Sequence, residues 1–234
     1  MAITVYWACM ENEWIKAEKP EKVSKRFYDL GIKDNDRDSL LAVNHCPFFN
    51  ESLKNIYAIK SIYDYSFKIE DNNFLTLDYG EDFFNNHVLI RSIEKKFFSF
   101  KTQYVFFTDE ESLEIDCYQH PIFEENEISK RCMIIPGSLN IGKYFRGLEF
   151  SFILKKDFNE FILKEQDVMY YLKFNTKEKI IFKQFKVNDN LTQIARDIRL
   201  INWGNKNMVN VEYFYKKFKG KKYILNEIKN NLIE

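Results

Sequence analysis

Residues 137–144, Gly-Ser-Leu-Asn-Ile-Gly-Lys-Tyr, come nearest to a chemical motif in this 234-residue chain. A P-loop sets glycines and a lysine around phosphate oxygens and then needs Ser or Thr to hold magnesium. Tyr144 stands in that place here. The loop must also lead into a helix N-terminus that receives the phosphate. Phe145 to Leu154 alternates as a strand instead, so the stretch reads as a turn before a strand.

Metal chemistry would draw on His45, Cys46, Cys117, His120 and Cys132. Cys117 and His120 have a ligand-like spacing, but the chain has no CxxC and no HExxH. Cys117 alternates in phase with Leu113 and Ile115, which predicts a buried thiol. No metal and no cofactor is expected. His45 and Cys46 are neighbours in sequence, yet adjacent strand residues point to opposite faces, so they make no catalytic dyad. No GxSxG elbow is present. Eight Asp/Glu fall between Asp109 and Glu127, a density that reads as a solvated acidic face.

The stretch 213–223, YFYKKFKGKKY, interleaves Lys216, Lys217, Lys219, Lys221 and Lys222 with aromatic residues. Nucleic-acid binding uses that mixture, charge for phosphates and rings for stacking. An amphipathic helix with its rings on the core and its lysines in water produces it as well. The latter is favoured, because net charge is zero overall and no basic stripe lies elsewhere, although residues 190–234 hold nine Lys/Arg against four Asp/Glu.

These residues need a scaffold, and the pattern predicts a mainly β one. Aromatics are 17% of the chain, with 23 Phe and 14 Tyr, and they suit half-buried sheet surfaces. Ile3–Ala8, Ile56–Ile59 and Tyr65–Ile69 read as strands, with a turn at Asp71-Asn72-Asn73. Phe98, Phe100, Tyr104 and Phe106 share one face of a single expected strand. Leu148, Phe150, Phe152 and Leu154 alternate in the same way, as do Val168, Tyr170, Leu172 and Phe174, and Ile180–Phe185 follows. Leu40–His45 is a further strand, and residues 21–30 suggest a helix ended by Gly31.

The period changes at Asn188, with Asn188 or Asn190 as the expected cap. Leu191, Ile194, Ala195, Ile198 and Ile201 form a helical stripe that Gly204 stops. Met208 to Phe218 and Ile224 to Leu232 suggest two more short helices. The expected architecture is an antiparallel β-sandwich or barrel over residues 1–187, with a helical segment, 188–234, packed on it. The N-terminal residues carry neither a basic region nor a long apolar run, and no stretch reaches the roughly 20 apolar residues of a membrane span. A soluble protein of a reducing cytoplasm, with free thiols, is expected.

Three stretches, HCPFFNESLKNIYAIKSIYDYSF, IPGSLNIGKYFRGLEFSFIL and QDVMYYLKFNTKEKIIFKQF, resemble a family of uncharacterised proteins encoded by tailed phages, notably marine ones. The resemblance implies expression in a bacterial cytoplasm and carries no activity with it.

Residues 137–172 are also similar to the dUTPase and dCTP-deaminase superfamily. The series is Gly137, Asn140, Phe145-Arg146-Gly147, the strand to Leu154, then Gln166-Asp167 and a second strand. This implies a β-clip barrel, a trimer, and a ligand site at Asn140, Tyr144 and Arg146. Asn140 occupies the place of the catalytic aspartate, and an amide cannot serve as general base. Asn140 and Arg146 lie two residues further apart than in the family, and its glycine-rich closing motif is absent. Arg91-Ser92 is similar to the family's phosphate-binding Arg-Ser but lies far upstream.

The sequence therefore leans away from an enzyme. It suggests a binding or assembly role with an unidentified protein partner or a second copy of the chain. A dUTPase-like nucleotide protein and a nucleic-acid-binding accessory protein are the alternatives.

Overall fold

In the computed structural model, which describes residues 2–10, 17–23, 47–70, 73–77, 80–101, 104–118, 127–204 and 220–233, strand β1 (Ala2–Cys9) is enclosed on both faces. Val5, Trp7 and Cys9 enter the main core, while Tyr6 and Ala8 face a second cluster on the other side. Burial on both faces explains why the strand is a continuous β-branched and aromatic run rather than an alternating one. Its neighbours are β8 (Tyr104–Thr108), antiparallel, and β15 (Lys179–Gln184), parallel. That parallel pair departs from the antiparallel expectation. It joins the two ends of the β-rich region, a long-range pairing that no local pattern encodes. The other strand pairings are antiparallel.

A five-stranded sheet has the order β11 (Gly137–Asn140), β9 (Glu114–Tyr118), β14 (Val168–Phe174), β3 (Ile56–Lys60), β2 (Glu21–Lys22). As alternation predicts, Leu113, Ile115 and Cys117 are buried, whereas Glu114 is exposed. In β14 both faces are buried. Tyr170, Leu172 and Phe174 enter the main core, and Val168 and Tyr171 meet Leu53, Ile56 and Ala58 behind the sheet.

A four-stranded sheet runs β10 (Cys132–Ile134), β12 (Phe150–Leu154), β7 (Phe97–Phe100), β6 (Val88–Ser92). The expected single strand through Phe98, Phe100, Tyr104 and Phe106 is two strands in two sheets. Phe98 and Phe100 pair with β12 and β6, while Tyr104 and Phe106 pair with β1. All four rings still enter one core, so the burial pattern persisted across a break in the backbone. A fourth sheet, β13 (Glu160–Leu163), β4 (Tyr65–Glu70) and β5 (Asn73–Thr76), closes the core. Glu70 pairs with Asn73, which makes Asn73 the first residue of β5 rather than part of the turn. Phe67 of β4 meets Phe161 stacked at 5.0 Å and Phe98 edge-on at 4.9 Å. Such ring pairs each add about 0.5–1.5 kcal/mol beyond area burial.

Helices α1 (Pro47–Ser52), α2 (Glu81–His87) and α3 (Glu127–Arg131) interrupt the strands, and the sequence reading missed all three. They are too short to show a 3.6-residue period. In α4 (Asp189–Gly204) the Asn188 side chain accepts the Leu191 N–H at 2.9 Å, so of the two expected caps Asn188 serves, and the helix ends at Gly204. In α5 (Lys221–Asn230) Ile224 and Ile228 are buried. Together with Leu191 and Ala195 they cover Tyr6, Ala8, Val105 and Phe107, the outer face of β1 and β8. Glu21 and Lys22 form a strand where a helix was expected, and residues 24–31 lie outside the described residues, as do 34–38, 40–45 and 208–218. None of the described sheets closes into a barrel. Among the described residues, no helix is long and apolar enough to cross a membrane.

Candidate functional site

Strands β10 and β12 pair through Cys132–Leu154, Met133–Ile153 and Ile134–Phe152, and Ile135 N–H still reaches Ser151 O at 2.8 Å. At Pro136 the strands part. Gly137 turns away to pair with Cys117 of β9, in a different sheet. The fork holds a cavity of ≈ 230 Å³. Its floor is apolar, formed by Ile115, Cys117, Leu148, Phe150 and Leu172. Its mouth carries Ser138, Arg146, Glu149 and Ser151. Burial pushes the Cys117 thiol well above its ordinary range, so it serves as apolar lining and not as a nucleophile.

The two charges at the mouth differ in their partners. Glu149, with its side chain 10% exposed, accepts a charge-assisted hydrogen bond from Arg91. Arg91 Nε also donates to Ser99 Oγ at 3.1 Å, and Ser99 Oγ lies 2.8 Å from Ser151 Oγ. Glu149 is thus neutralised and held by β6 and β7. Arg146 makes one contact among the described residues, from Nε to the carbonyl of its neighbour Gly147 at 3.4 Å. Its guanidinium is half-buried and has no carboxylate partner there. Asp116, just outside, is held by Ser138 Oγ at 2.5 Å and by Asn175 Nδ2 at 2.8 Å.

The sequence singled out Asn140, Tyr144 and Arg146 together; the structure joins Asn140 and Tyr144 in one turn and sets Arg146 apart from them, on the cavity. Arg146 lines the cavity, whereas Asn140 and Tyr144 are absent from its lining. Asn140 is a turn clamp. Its Oδ1 accepts Lys143 N–H at 2.9 Å, its Nδ2 donates to Glu111 O at 3.0 Å, and its carbonyl accepts Tyr144 N–H at 3.0 Å. The stretch 137–144 is an edge strand and a turn, with no helix behind it. Gly142 is required in that turn, since a Cβ there would lie 1.8 Å from Glu110 O.

Lys216, Lys217 and Lys219 lie outside the described residues, as do His45, Cys46 and His120. Lys222 is exposed. Lys221 turns inward, and its Nζ donates to Asp109 O at 2.6 Å. Burial lowers its pKa, and the carboxylates of Glu111, Asp109 and Glu110 partly offset that. Part of the acidic stretch therefore faces the start of α5, where anionic groups complement the helix dipole. Among the described residues, no three His, Cys, Asp or Glu gather as a metal site. Cys132 is fully buried in β10, and burial pushes its thiol up to about 12.

The sequence reading missed the fork itself. Its local signal is Ile135-Pro136-Gly137, where a residue without an N–H ends one ladder and a permissive one begins another. No family model, curated protein or solved structure matches this chain.

Proposed function

We propose that this chain is a non-enzymatic protein-binding protein, and that the fork between β10–β11 and β12 is where it holds its partner. The observation that carries this reading is the cavity itself, open and apolar-floored at ≈ 230 Å³, with a cation at its mouth that has no carboxylate partner among the described residues. Sites for whole small molecules span about 300–1,000 Å³. A smaller apolar recess bordered by a strand edge suits one anchoring side chain of a larger partner. The resemblance of three stretches to tailed-phage proteins bears only on the compartment, a bacterial cytoplasm. The division into a β-rich part, 1–187, and a helical part, 188–234, belongs to the same reading, with the first part supplying the site.

A dUTPase-like nucleotide protein is the alternative, favoured by Arg146 at the cavity mouth. Against it stand the two side chains that would have to act as base. Asn140 is committed to a turn, and Glu149 is committed to Arg91.

The test is a photocrosslinking residue placed at Ser138, in the cleft wall, and separately at exposed Lys179 on β15, with expression in the organism that encodes the chain. A discrete protein adduct is expected from position 138 and not from 179. No adduct from 138, together with pyrophosphate release from a deoxynucleotide in the presence of magnesium, overturns the proposal.

A further inference from the structure

Resting on that reading, we infer the kind of partner: an extended acidic–apolar segment that adds as a strand to the free edge of β11, seats an apolar side chain in the cavity and sets a carboxylate on Arg146.

The main-chain half of the inference follows from register. Strand β11 has β9 on one side and no strand on the other among the described residues. Ile141 N–H donates to Leu113 O at 3.0 Å, in continuation of the β11–β9 register. Hydrogen-bonded pairs alternate along an antiparallel ladder, so Leu139 and Gly137 also face β9, while Ser138 and Asn140 face outward. The Asn140 carbonyl is taken by the turn. Among the described residues, the N–H and C=O of Ser138 remain as an outward pair, on the strand that lines the cavity. An unpaired strand edge is a template for another strand, and recognition by strand addition takes affinity from the main chain and specificity from alternate side chains.

The side-chain half follows from charge. The cavity floor takes an apolar group. Of the two charges at the mouth, Glu149 is bound by Arg91, whereas Arg146 meets no carboxylate among the described residues. The net demand of the site is therefore for an anion. A guanidinium pairs best with a planar carboxylate through two parallel hydrogen bonds. A basic segment would meet Arg146 with like charge and find Glu149 occupied.

The probe is an array of capped hexapeptides. Alternate positions run through the aliphatic and aromatic residues, and the intervening positions through Asp, Glu, Ser and Lys. Binding to the full chain is read by fluorescence polarisation. Members with Asp or Glu are expected to bind at least tenfold more tightly than their Lys counterparts. Arg146→Gln is expected to remove at least tenfold of that affinity at unchanged Tm, and Arg146→Lys to recover part of it. Bound peptide is expected to slow amide exchange at Ser138. Equal binding of acidic and basic members, an Arg146→Gln variant that binds as wild type, or no binding by any member overturns the inference. A protein adduct at position 138 alongside a failed array leaves the protein-binding reading standing and removes only the acidic strand.

Discussion

Arg91 of β6 and Glu149, just before β12, form an ion pair that keeps the one carboxylate of the cavity lining among the described residues away from Arg146. The Arg91 side chain is 32% exposed and that of Glu149 10%, so the pair is partly desolvated. Breaking one side of such a pair costs more than the pair contributes, because the other charge is left in place. Glu149→Gln is expected to lower stability by about 1–2 kcal/mol. That corresponds to roughly 2–4 °C in Tm per kcal/mol for a chain of this size. A double-mutant cycle with Arg91→Met, read by urea denaturation, should give a coupling of at least about 0.5 kcal/mol. Additive single effects would show that the two side chains do not hold each other.

Gly142 and Gly137, five residues apart, make opposite predictions. A Cβ at Gly142 collides with Glu110 backbone at 1.8 Å, whereas one at Gly137 meets nothing within 4 Å. Gly142→Ala should cost about 1–3 kcal/mol, the usual range for overpacking. Gly137→Ala should fall within about 0.5 kcal/mol of wild type. Thermal unfolding of the two variants side by side checks this, and equal melting temperatures would contradict it.

Asn140 is predicted to be structural. Asn140→Ala removes two side-chain hydrogen bonds from the turn and should cost about 1–2 kcal/mol, with no change in nucleotide turnover. Asn140→Asp supplies the carboxylate that a dUTPase-like site would need but turns an oxygen toward Glu111 O, so it should lose stability as well and gain no hydrolysis. Pyrophosphate release from each deoxynucleotide, with magnesium present, is the assay. Turnover that appears in Asn140→Asp would make the nucleotide reading the leading one.

The fold's legibility in the sequence followed the reach of each signal. Alternation located β9, β12 and β14, and the 3.6-residue stripe with Asn188 located α4, because those patterns are local. The β1–β15 pairing was not legible, since it depends on residues 2–7 meeting residues 179–184. The run Phe98 to Phe106 misled because two strands in two sheets serve one core, so burial stayed in phase where the backbone did not. Of the site, Arg146 was found through a family resemblance, but its setting was not. The fork requires Pro136 to end one ladder and Gly137 to begin another, and the partner of Glu149 lies 58 residues away. Pairings at that separation leave no mark on a single sequence.

Burial predicts an alkaline limit to stability. The Cys132 thiol is raised to about 12 and that of Cys117 is also raised, both by burial, as are the hydroxyls of Tyr104 and Tyr170. In the unfolded chain a thiol loses its proton above about pH 8.5, while the folded protein keeps it. The unfolded state then binds fewer protons, so stability falls as pH rises. The contribution of Cys132 is complete below about pH 8.5 and is lost toward its folded value near 12, at roughly 1.4 kcal/mol per pH unit. Urea midpoints from pH 8 to 11 should decline, and Cys132→Ala should decline less steeply from a lower start. Parallel slopes would contradict the burial of this thiol.

The measurement that tests the central claim most directly is the yield of the protein adduct from position 138 in wild type and in Gly137→Trp. Gly137 lines the cavity and has open space at its Cβ, so an indole there blocks the fork without disturbing the core. The account predicts at least a tenfold loss of adduct with Tm kept within about 2 °C, less than the shift expected from 1 kcal/mol. An adduct of unchanged yield in the blocked, folded variant would show that the partner is held elsewhere and contradict the account.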